Sequence, residues 1–423
     1  MGSHASTTAS STPAGSPRLR ARHFSTTVVA VCITAFLAPG AAAQEAPRRV
    51  PPFTTEVDFA QFVQGPVAGG VERQADYGGR LDVRLQVSTQ GLGLWKGGTL
   101  EAKAATRYGD EATGLAGAAV PVNTALIDPA SDGTETGLIA LNYTHLVPFG
   151  KKPGDAVALA LGRFSTFELI PDGTGITGFM NVAQIAPTHE ARNVPAVTNA
   201  ASAAVILAGE PVFSLMVLDP NTTPLESGLG DLFANGVTVS PTITIPTRFF
   251  GMSGHHGLRG TWSSQEITPF DAIPHFFFLR PDRPVVTEKE SGGWSITYTA
   301  DQYLHESAGQ PHTGWRLYWQ AGLADEDTNP IDRYFNVGIG GHGPFGRTLD
   351  NFGVAWAYTG FGDPFKDLFD PLARLRDEQV VEAFYNVAAT RWLRLTLDLQ
   401  VVRPFRPRVD TAVLPAARIH LTF

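Results

Sequence analysis

The chain has 423 residues, of which 43% are hydrophobic and only 17% are charged, and its formal net charge is −8. A typical soluble domain is about 25% charged, so this chain has little charge with which to cover a large water-exposed surface. The negative balance argues against a nucleic-acid binder. Outside the N-terminal region no stretch approaches the ~18 continuous apolar residues of a spanning helix, which favours strands if the chain crosses a membrane.

The first 43 residues have the pattern of a secretory signal peptide. Arginines at 18, 20 and 22 form a positive region, residues 27–37 form a short apolar core, and three alanines at 41–43 suit a cleavage site. We expect cleavage after Ala43 and a proline-rich flexible leader over residues 44–53. Cys32 is the only cysteine and would leave with the signal, so the mature chain would lack thiol catalysis and cysteine metal sites.

From residue 54 onward, short segments in which apolar and polar residues alternate are separated by turn residues. This pattern predicts strands rather than helices. The segment 54–63 is compatible with a strand or a short helix, and 251–257 is predicted as a glycine-rich turn. Irregular stretches cover 109–136 and 165–200, and a loop as long as the second is typically functional. The strands predicted in the first part of the chain are 79–87, 99–108, 137–145, 156–164, 201–208, 211–218 and 237–250.

The strongest alternation lies in the last third of the chain. In 393–401 every odd residue is apolar and every even residue is polar or charged, and the chain ends on an aromatic residue, Phe423. A strand that ends a chain in this way suits a closed barrel, in which the last strand pairs with the first. The further predicted strands are 258–264, 275–279, 294–303, 314–323, 333–340, 352–359, 380–388, 393–401 and 413–423; a short helix is predicted within 363–376.

These observations together predict an all-β fold, a transmembrane antiparallel β-barrel of about 16 strands that occupies residues 54–423. Tryptophans and tyrosines on or near strand ends are typical of the aromatic girdles of membrane barrels. We expect such girdles from Trp294, Tyr298, Tyr303, Trp315, Tyr318, Trp319, Trp356, Tyr358, Tyr385 and Trp392. A soluble β-sandwich with buried aromatics is the alternative.

Several segments resemble the carbohydrate-selective porin family, the OprB-like porins of Gram-negative outer membranes. They include GLWKGGT at 93–99, PTRFFG at 246–251 and WSITY at 294–298, and the most specific run extends from RLRDEQ at 374–379 to DLQV at 398–401. The resemblance implies a sixteen-stranded outer-membrane barrel that passes small sugars through a constriction lined by arginine, acidic and aromatic residues. Phe423 resembles the C-terminal signal by which the barrel assembly machinery recognises such barrels. An outer-membrane barrel also implies outer-membrane lipids and lipopolysaccharide as partners.

Polar residues that alternate with apolar ones should point into the lumen, because a charge on the lipid face costs ~2–4 kcal/mol at the midplane. Arg163 occupies one of the alternate positions at which its strand otherwise carries apolar, lipid-facing residues. A bulge or a strand end must therefore intervene there. We therefore predict that the solute path is lined by Arg80, Arg84, Glu101, Lys103, Arg163, Arg316, Glu382, Asn386, Arg394, Asp398 and Gln400.

We find no motif that indicates an enzyme, a cofactor or a metal site. Asp325–Asn329 resembles the start of a calcium loop, but it lacks the glycine and the distant glutamate of that motif and is better interpreted as a polar turn. His255 and His256 are sequence neighbours, which seldom share a metal ion. The predicted function is facilitated diffusion of monosaccharides and other small neutral solutes. A general diffusion porin, a receptor or adhesin barrel and a barrel hydrolase remain as alternatives.

Overall fold

A computed structural model describes residues 50–129, 133–169, 178–221, 225–274, 288–307, 310–370 and 373–423. Within these ranges seventeen strands form one antiparallel sheet. The first nine are β1 (Phe53–Gln64), β2 (Ala68–Gly70), β3 (Asp76–Ser88), β4 (Gly98–Gly109), β5 (Glu135–Pro148), β6 (Ala156–Ser165), β7 (Val197–Leu207), β8 (Glu210–Leu218) and β9 (Thr238–Phe249). The others are β10 (Met252–Ser263), β11 (Gly293–Ser307), β12 (Gln310–Ala324), β13 (Ile331–His342), β14 (Asn351–Phe361), β15 (Glu378–Ala388), β16 (Leu393–Arg403) and β17 (Asp410–Thr422).

Sixteen of these strands close into a barrel at the pairing of β1 with β17. Asp58 of β1 lies opposite Thr422 of β17 on one side and opposite Asp82 of β3 on the other. The three-residue strand β2 adds only a short pairing to β17. The predicted sixteen-stranded antiparallel barrel is therefore confirmed, and its closure leaves no long unpaired edge.

The two ends of the barrel differ in their connections. One end, which we call the turn end, carries the start of β1, the end of β17 and tight links such as 208–209, 250–251 and 389–392. The other, which we call the loop end, carries long connections such as 110–134, 166–196 and 362–377. Short turns at one end and long loops at the other are typical of outer-membrane barrels.

The alternation predicted for 393–401 matches the two faces of β16. Leu397 points outward with 73% of its surface exposed, whereas Asp398 and Gln400 on the other face are 5% and 0% exposed. The apolar residues of this alternation thus form the outer surface and the polar residues the inner one, as expected for a barrel whose outside contacts lipid.

The α-helices of the described residues are short and lie in connections at the loop end. They are α1 (Thr113–Ala116), α2 (Val182–Ile185) and α3 (Asp363–Phe369), and the last is shorter than the predicted 363–376. In the described part of the chain, no helix is both long enough and apolar enough to cross a membrane. Part of connection 110–134 and α2 pack inside the barrel against β15–β17, where Val122, Val182 and Leu414 share a buried cluster.

Some sequence predictions need correction. The turn predicted at 251–257 is limited to 250–251, because β10 begins at Met252 and pairs along both neighbours. The ambiguous segment 54–63 is a strand. Tyr303 and Tyr318 belong to no girdle, since they lie on the inner face and are 3% and 1% exposed.

Three predicted segments cannot be compared with the structure. The signal peptide at 1–43 and the leader residues 44–49 lie outside the described residues. The strand predicted at 275–279 lies outside them as well.

Candidate functional site

Acidic and basic side chains alternate on the inner faces of β1, β3 and β4. We call this set the charged wall: Glu56, Asp58, Arg80, Asp82, Arg84, Glu101, Lys103 and Arg107. Register explains the arrangement, because Glu56 lies opposite Arg84 and Arg84 lies opposite Lys103 on adjacent strands. Cross-strand neighbours on one face are ~5 Å apart, so their charges interact directly.

The charges of this wall are paired with one another. Arg80 Nε lies 2.7 Å from Asp82 Oδ1, and Lys103 Nζ lies 2.8 Å from Asp82 Oδ2. Gln86 Nε2 donates to Glu101 Oε2 at 2.8 Å. The wall is therefore a connected network of opposite charges, which fixes the orientation of long side chains that would otherwise be mobile.

Connection 166–196 reaches the charged wall at Glu168. One of its carboxylate oxygens accepts from Arg84 NH2 at 2.7 Å, and the other accepts from Lys103 Nζ. The connection thus places an acidic group over two basic ones inside the lumen. Glu168 follows no strand pattern in the sequence, so periodicity could not have identified it.

Unpartnered polar atoms remain at this point. Among the described residues, Arg84 Nε, Arg84 NH1, Glu56 Oε1 and Glu101 Oε1 are buried and have no hydrogen-bond partner. Ion-pair contacts are long, at 3.9 Å for Arg84 Nε to Glu101 and 4.0 Å for Arg84 NH1 to Glu56. Buried polar atoms are normally hydrogen-bonded, so water or a hydroxylated solute is needed to complete this site.

The same connection continues to a second region, which we call the anchoring wall: Asn336, Glu378, Glu382, Asp398, Gln400 and Arg418 on β13 and β15–β17. Glu382 is fully buried and accepts from the backbone N–H groups of Met180 at 2.5 Å and Asn181 at 3.1 Å. A buried carboxylate that accepts backbone N–H groups makes strong charge-assisted hydrogen bonds. Glu382 therefore holds the connection in place.

Neighbouring side chains extend this attachment. Asn181 Nδ2 donates to Gln400 Oε1 at 3.1 Å, and Gln400 Nε2 donates to the Val122 carbonyl of connection 110–134 at 3.0 Å. Arg418 NH2 donates to the Gly178 carbonyl at 3.0 Å. Two inward connections are thus fastened to one another and to the barrel through the same few side chains.

Connection 110–134 has its own carboxylate attachment. Glu378 accepts from the backbone N–H groups of Ala119 at 2.8 Å and Val120 at 3.0 Å. Burial raises the free energy of the charged carboxylate, and these N–H groups offset that cost. Glu378 therefore has the same role for this connection that Glu382 has for the other.

The last part of connection 166–196 crosses to β10–β13. His189 is buried, and its Nε2 lies 2.9 Å from Thr297 Oγ1 and 3.2 Å from the Ile296 carbonyl. Burial lowers the pKa of His189, which favours its neutral form. Gly322 of β12 is required beneath it, because a Cβ there would lie 1.9 Å from the imidazole ring.

The predicted solute-path residues divide into groups. Arg80, Arg84, Glu101 and Lys103 lie together on the charged wall. Glu382, Asp398 and Gln400 lie inward as predicted, but on the anchoring wall, while Asn386 bonds only to Thr396 in the contacts we observe. Arg394 lies near the turn end and is exposed, and Arg316 lies on a different wall.

Arg163 stands apart from the others. Its Nε donates to the Leu138 carbonyl at 2.6 Å and its NH1 to the Ser227 carbonyl at 3.3 Å. The preceding Gly162 has a φ of +135°, which glycine tolerates, and the β5–β6 ladder ends at the pair Leu141–Arg163 while the pairing with β7 continues, in line with the strand end predicted at this point. The structure therefore does not bring Arg163 to the charged wall.

The prediction omitted several residues that form these walls. Glu56 and Asp58 alternate in a segment that was ambiguous between strand and helix. Asp82 shares the parity of Arg80 and Arg84, which was a usable signal. For Asn181 in the long connection no periodic pattern existed.

Metal binding finds no support in the geometry of the described residues, where no group of three or more potential ligands is suitably placed. In the segment 325–329, Thr328 Oγ1 donates to Asp325 Oδ2 within the turn at 2.6 Å, and Asn329 Nδ2 donates to the His189 carbonyl of connection 166–196 at 2.7 Å. His255 and His256 point to opposite faces of β10, toward Asp301 and Tyr298 respectively.

The model of the family described as carbohydrate-selective porin, OprB family, matches residues 72–423. The chain belongs to this family. It is an outer-membrane porin for carbohydrates, and the closed barrel, the inward connections and the charged lumen fit that assignment. No curated protein matches the chain in a sequence search.

Solved structures support the fold of the porin. The high-pH structure of OprB from Pseudomonas putida has 18% sequence identity and a TM-score of 0.72, with 88% of this chain and 94% of that chain covered. The low-pH structure of the same protein gives 16% identity, a TM-score of 0.52 and coverage of 88% and 93%. The outer membrane channel DcaP of Acinetobacter baumannii has 8% sequence identity and a TM-score of 0.50, with 88% of this chain and 97% of that chain covered.

Proposed function

We propose that this porin admits monosaccharides and other small neutral solutes by facilitated diffusion, without covalent chemistry, and that the charged wall with Glu168 is its selective constriction. The observation that carries the proposal is the group of buried, unpartnered atoms on Arg84, Glu56 and Glu101. Donors and acceptors of opposite charge stand side by side there. A sugar hydroxyl is both a donor and an acceptor, so it can satisfy both kinds of atom at once.

Selective passage requires that these contacts replace the water that a sugar loses but remain weak enough for release. The charged wall meets this condition because most of its groups already bond to one another, as Arg80 does with Asp82. Only part of their hydrogen-bonding capacity is left for the solute. We therefore expect brief binding that favours neutral polyhydroxylated solutes over hydrophobic ones.

The anchoring wall has a supporting role in this proposal. Glu382, Asp398 and Gln400 do not contact the solute; they keep connection 166–196 folded inward, so that Glu168 stays over Arg84 and Lys103. The predicted residues on β15 and β16 thus act on selectivity through the position of the connection.

The orientation and the partners of the barrel follow from its two ends. We propose that the turn end faces the periplasm and the loop end faces outside, where lipopolysaccharide surrounds the barrel. Export by a cleaved signal peptide at 1–43 and recognition of Phe423 by the barrel assembly machinery belong to the same proposal. The short links and the position of Phe423 at the turn end support it.

Planar bilayers test this function directly. Purified porin is inserted, and ionic conductance is measured while glucose, other neutral sugars and amino acids are added separately. We expect glucose to reduce conductance in a saturable way and amino acids to do so less. Open channels that no sugar affects would overturn sugar selectivity and leave a general diffusion porin, whereas absence of channels would favour a receptor, adhesin or hydrolase.

A further inference from the structure

The wall that faces the charged wall carries a separate cluster of polar side chains. It consists of Glu210 on β8, His255 on β10, Asp301 and Tyr303 on β11, and Arg316 on β12. In the cyclic strand order β11 and β12 lie half the barrel away from β3 and β4. The cluster is therefore on the opposite side of the lumen.

Close contacts connect the members of this cluster. His255 lies directly opposite Asp301 in the ladder, and its Nδ1 lies 3.1 Å from Asp301 Oδ1. Arg316 NH1 lies 3.0 Å from Asp301 Oδ2, and its guanidinium carbon lies 5.5 Å from the centroid of the Tyr303 ring. His255 Nε2 lies 3.6 Å from Glu210. Two carboxylates, an imidazole and a guanidinium thus form one patch.

Among the described residues, the contacts that connection 166–196 makes with this wall lie away from the cluster. They are made to Arg259, Thr261, Gly293, Ile296 and Thr297 and, in the adjoining segment 325–329, to Asn329; Glu190 Oε2 accepts from Arg259 at 2.8 Å. His255 and Asp301 lie four residues nearer the turn end than Arg259 and Thr297, which is ~13 Å along a strand. The described anchoring contacts therefore do not account for the cluster.

The cluster shares a physical feature with the proposed constriction. Arg316 is 7% exposed, yet its Nε has no hydrogen-bond partner among the described residues. Beside it, the side chains of Glu210, His255 and Asp301 are 27%, 24% and 16% exposed. A buried donor without a partner, next to solvent-accessible acceptors, again calls for water or a hydroxylated ligand.

We propose that Glu210, His255, Asp301 and Arg316 form a second sugar-binding site of the porin, which we call the facing site. One hydroxyl oxygen of the sugar accepts from Arg316 Nε, and an adjacent hydroxyl donates to Asp301 or Glu210. The site combines donors and acceptors of both charges, so it suits neutral polyhydroxylated sugars, whose hydroxyls can pair with either kind. This proposal rests on the proposed function, because it assumes that sugars traverse the lumen.

Sugar binding distinguishes this site from a purely structural ion network between β8 and β12. The variants are Asp301→Asn, Arg316→Gln and the milder His255→Gln, and the matched control is Thr299→Val on the inner face of β11. Glucose is titrated into planar bilayers that hold each channel. We expect the three variants to raise the glucose concentration for half-maximal block about fivefold, the equivalent of one hydrogen bond, and the control to leave it unchanged.

Failure of the facing site and failure of the porin function give different results. If glucose has no effect on the unmodified channel, the proposed function is wrong. If glucose blocks the unmodified channel and Arg84→Ala weakens that block, but all three variants behave like Thr299→Val, the facing site is overturned. If the Asp301→Asn and Arg316→Gln channels insert too poorly for recording, the result with His255→Gln decides.

Discussion

On the anchoring wall the carboxylate of Glu382 accepts backbone N–H groups of a connection, whereas on the charged wall carboxylates such as Asp82 pair with Arg80 and Lys103 of neighbouring strands. Among the described residues, Glu382 is closed off by its partners and the anchoring wall keeps one unpartnered atom each on Asn336 and Asp398, whereas four such atoms lie together on Arg84, Glu56 and Glu101 of the charged wall. The same residue types, on strands of the same kind, thus serve either to position a connection or to contact a solute. What surrounds the carboxylate decides which role it has.

The largest effect is expected from Glu382→Ala. It leaves two buried N–H groups without an acceptor, at roughly 1–3 kcal/mol each, and should lower the ratio of docked to undocked connection by roughly 100-fold. Single-channel recording should show higher, noisier conductance and loss of glucose block. Asn386→Ala, on the same face of β15, is the matched control. Unchanged conductance in Glu382→Ala would show that the anchoring wall does not set the pore width.

A smaller effect is expected from Arg84→Ala on the charged wall. Hydrogen bonds to charged groups contribute ~1.5–3 kcal/mol, so the glucose concentration for half-maximal block should rise about tenfold or more. Loss of a positive charge beside Glu56 and Glu101 should also shift ion selectivity toward cations. Reversal potentials in a salt gradient measure this shift. If block and selectivity both stay the same, Arg84 does not line the constriction.

A still smaller effect concerns pH and His189. Burial lowers its pKa in the docked connection, so the undocked form binds more protons. The stabilisation of docking by neutral His189 is therefore present above the ordinary histidine pKa of ~6.5 and is lost as pH falls through the lower docked value. Conductance noise should increase on acidification in the porin and less in His189→Gln. An identical pH response in both would exclude His189 as the group responsible.

The smallest effect on conduction is expected at the seam where the two walls meet. Phe423 N donates to the Val57 carbonyl at 2.9 Å, and its ring stacks on Trp392 at 6.1 Å. Phe423→Ala keeps the backbone pairing, so inserted channels should conduct normally while fewer barrels reach the membrane. The yield is measured as the amount of folded, heat-modifiable barrel in outer-membrane fractions. Trp392→Ala removes the same stacking but keeps the terminal aromatic, and an equal loss in both would contradict recognition of Phe423.

The inner and outer faces could be assigned from the sequence because a strand repeats every two residues. Arg84, Lys103 and Asp398 were placed inward on this basis, and the structure agrees. The girdle prediction for Tyr303 and Tyr318 rests on residue type alone. Tyr318 lies two residues from Arg316 on the same strand, and that spacing would have placed it on the inner face. Residues of connections, such as Glu168 and Asn181, have no such repeat and could not be placed.

Alternation and turn residues act locally along the chain, so the barrel, its approximate strand number and the inward faces of its strands could be predicted without coordinates. Which inward residues contact a connection and which line the solute path became visible only in the fold. That distinction depends on where 110–134 and 166–196 fold within the closed barrel. Glu382 and Glu101 both lie on the polar, inward face of a strand and are of the same residue type, and only the N–H groups of Met180 and Asn181 distinguish the anchoring carboxylate from the constriction carboxylate.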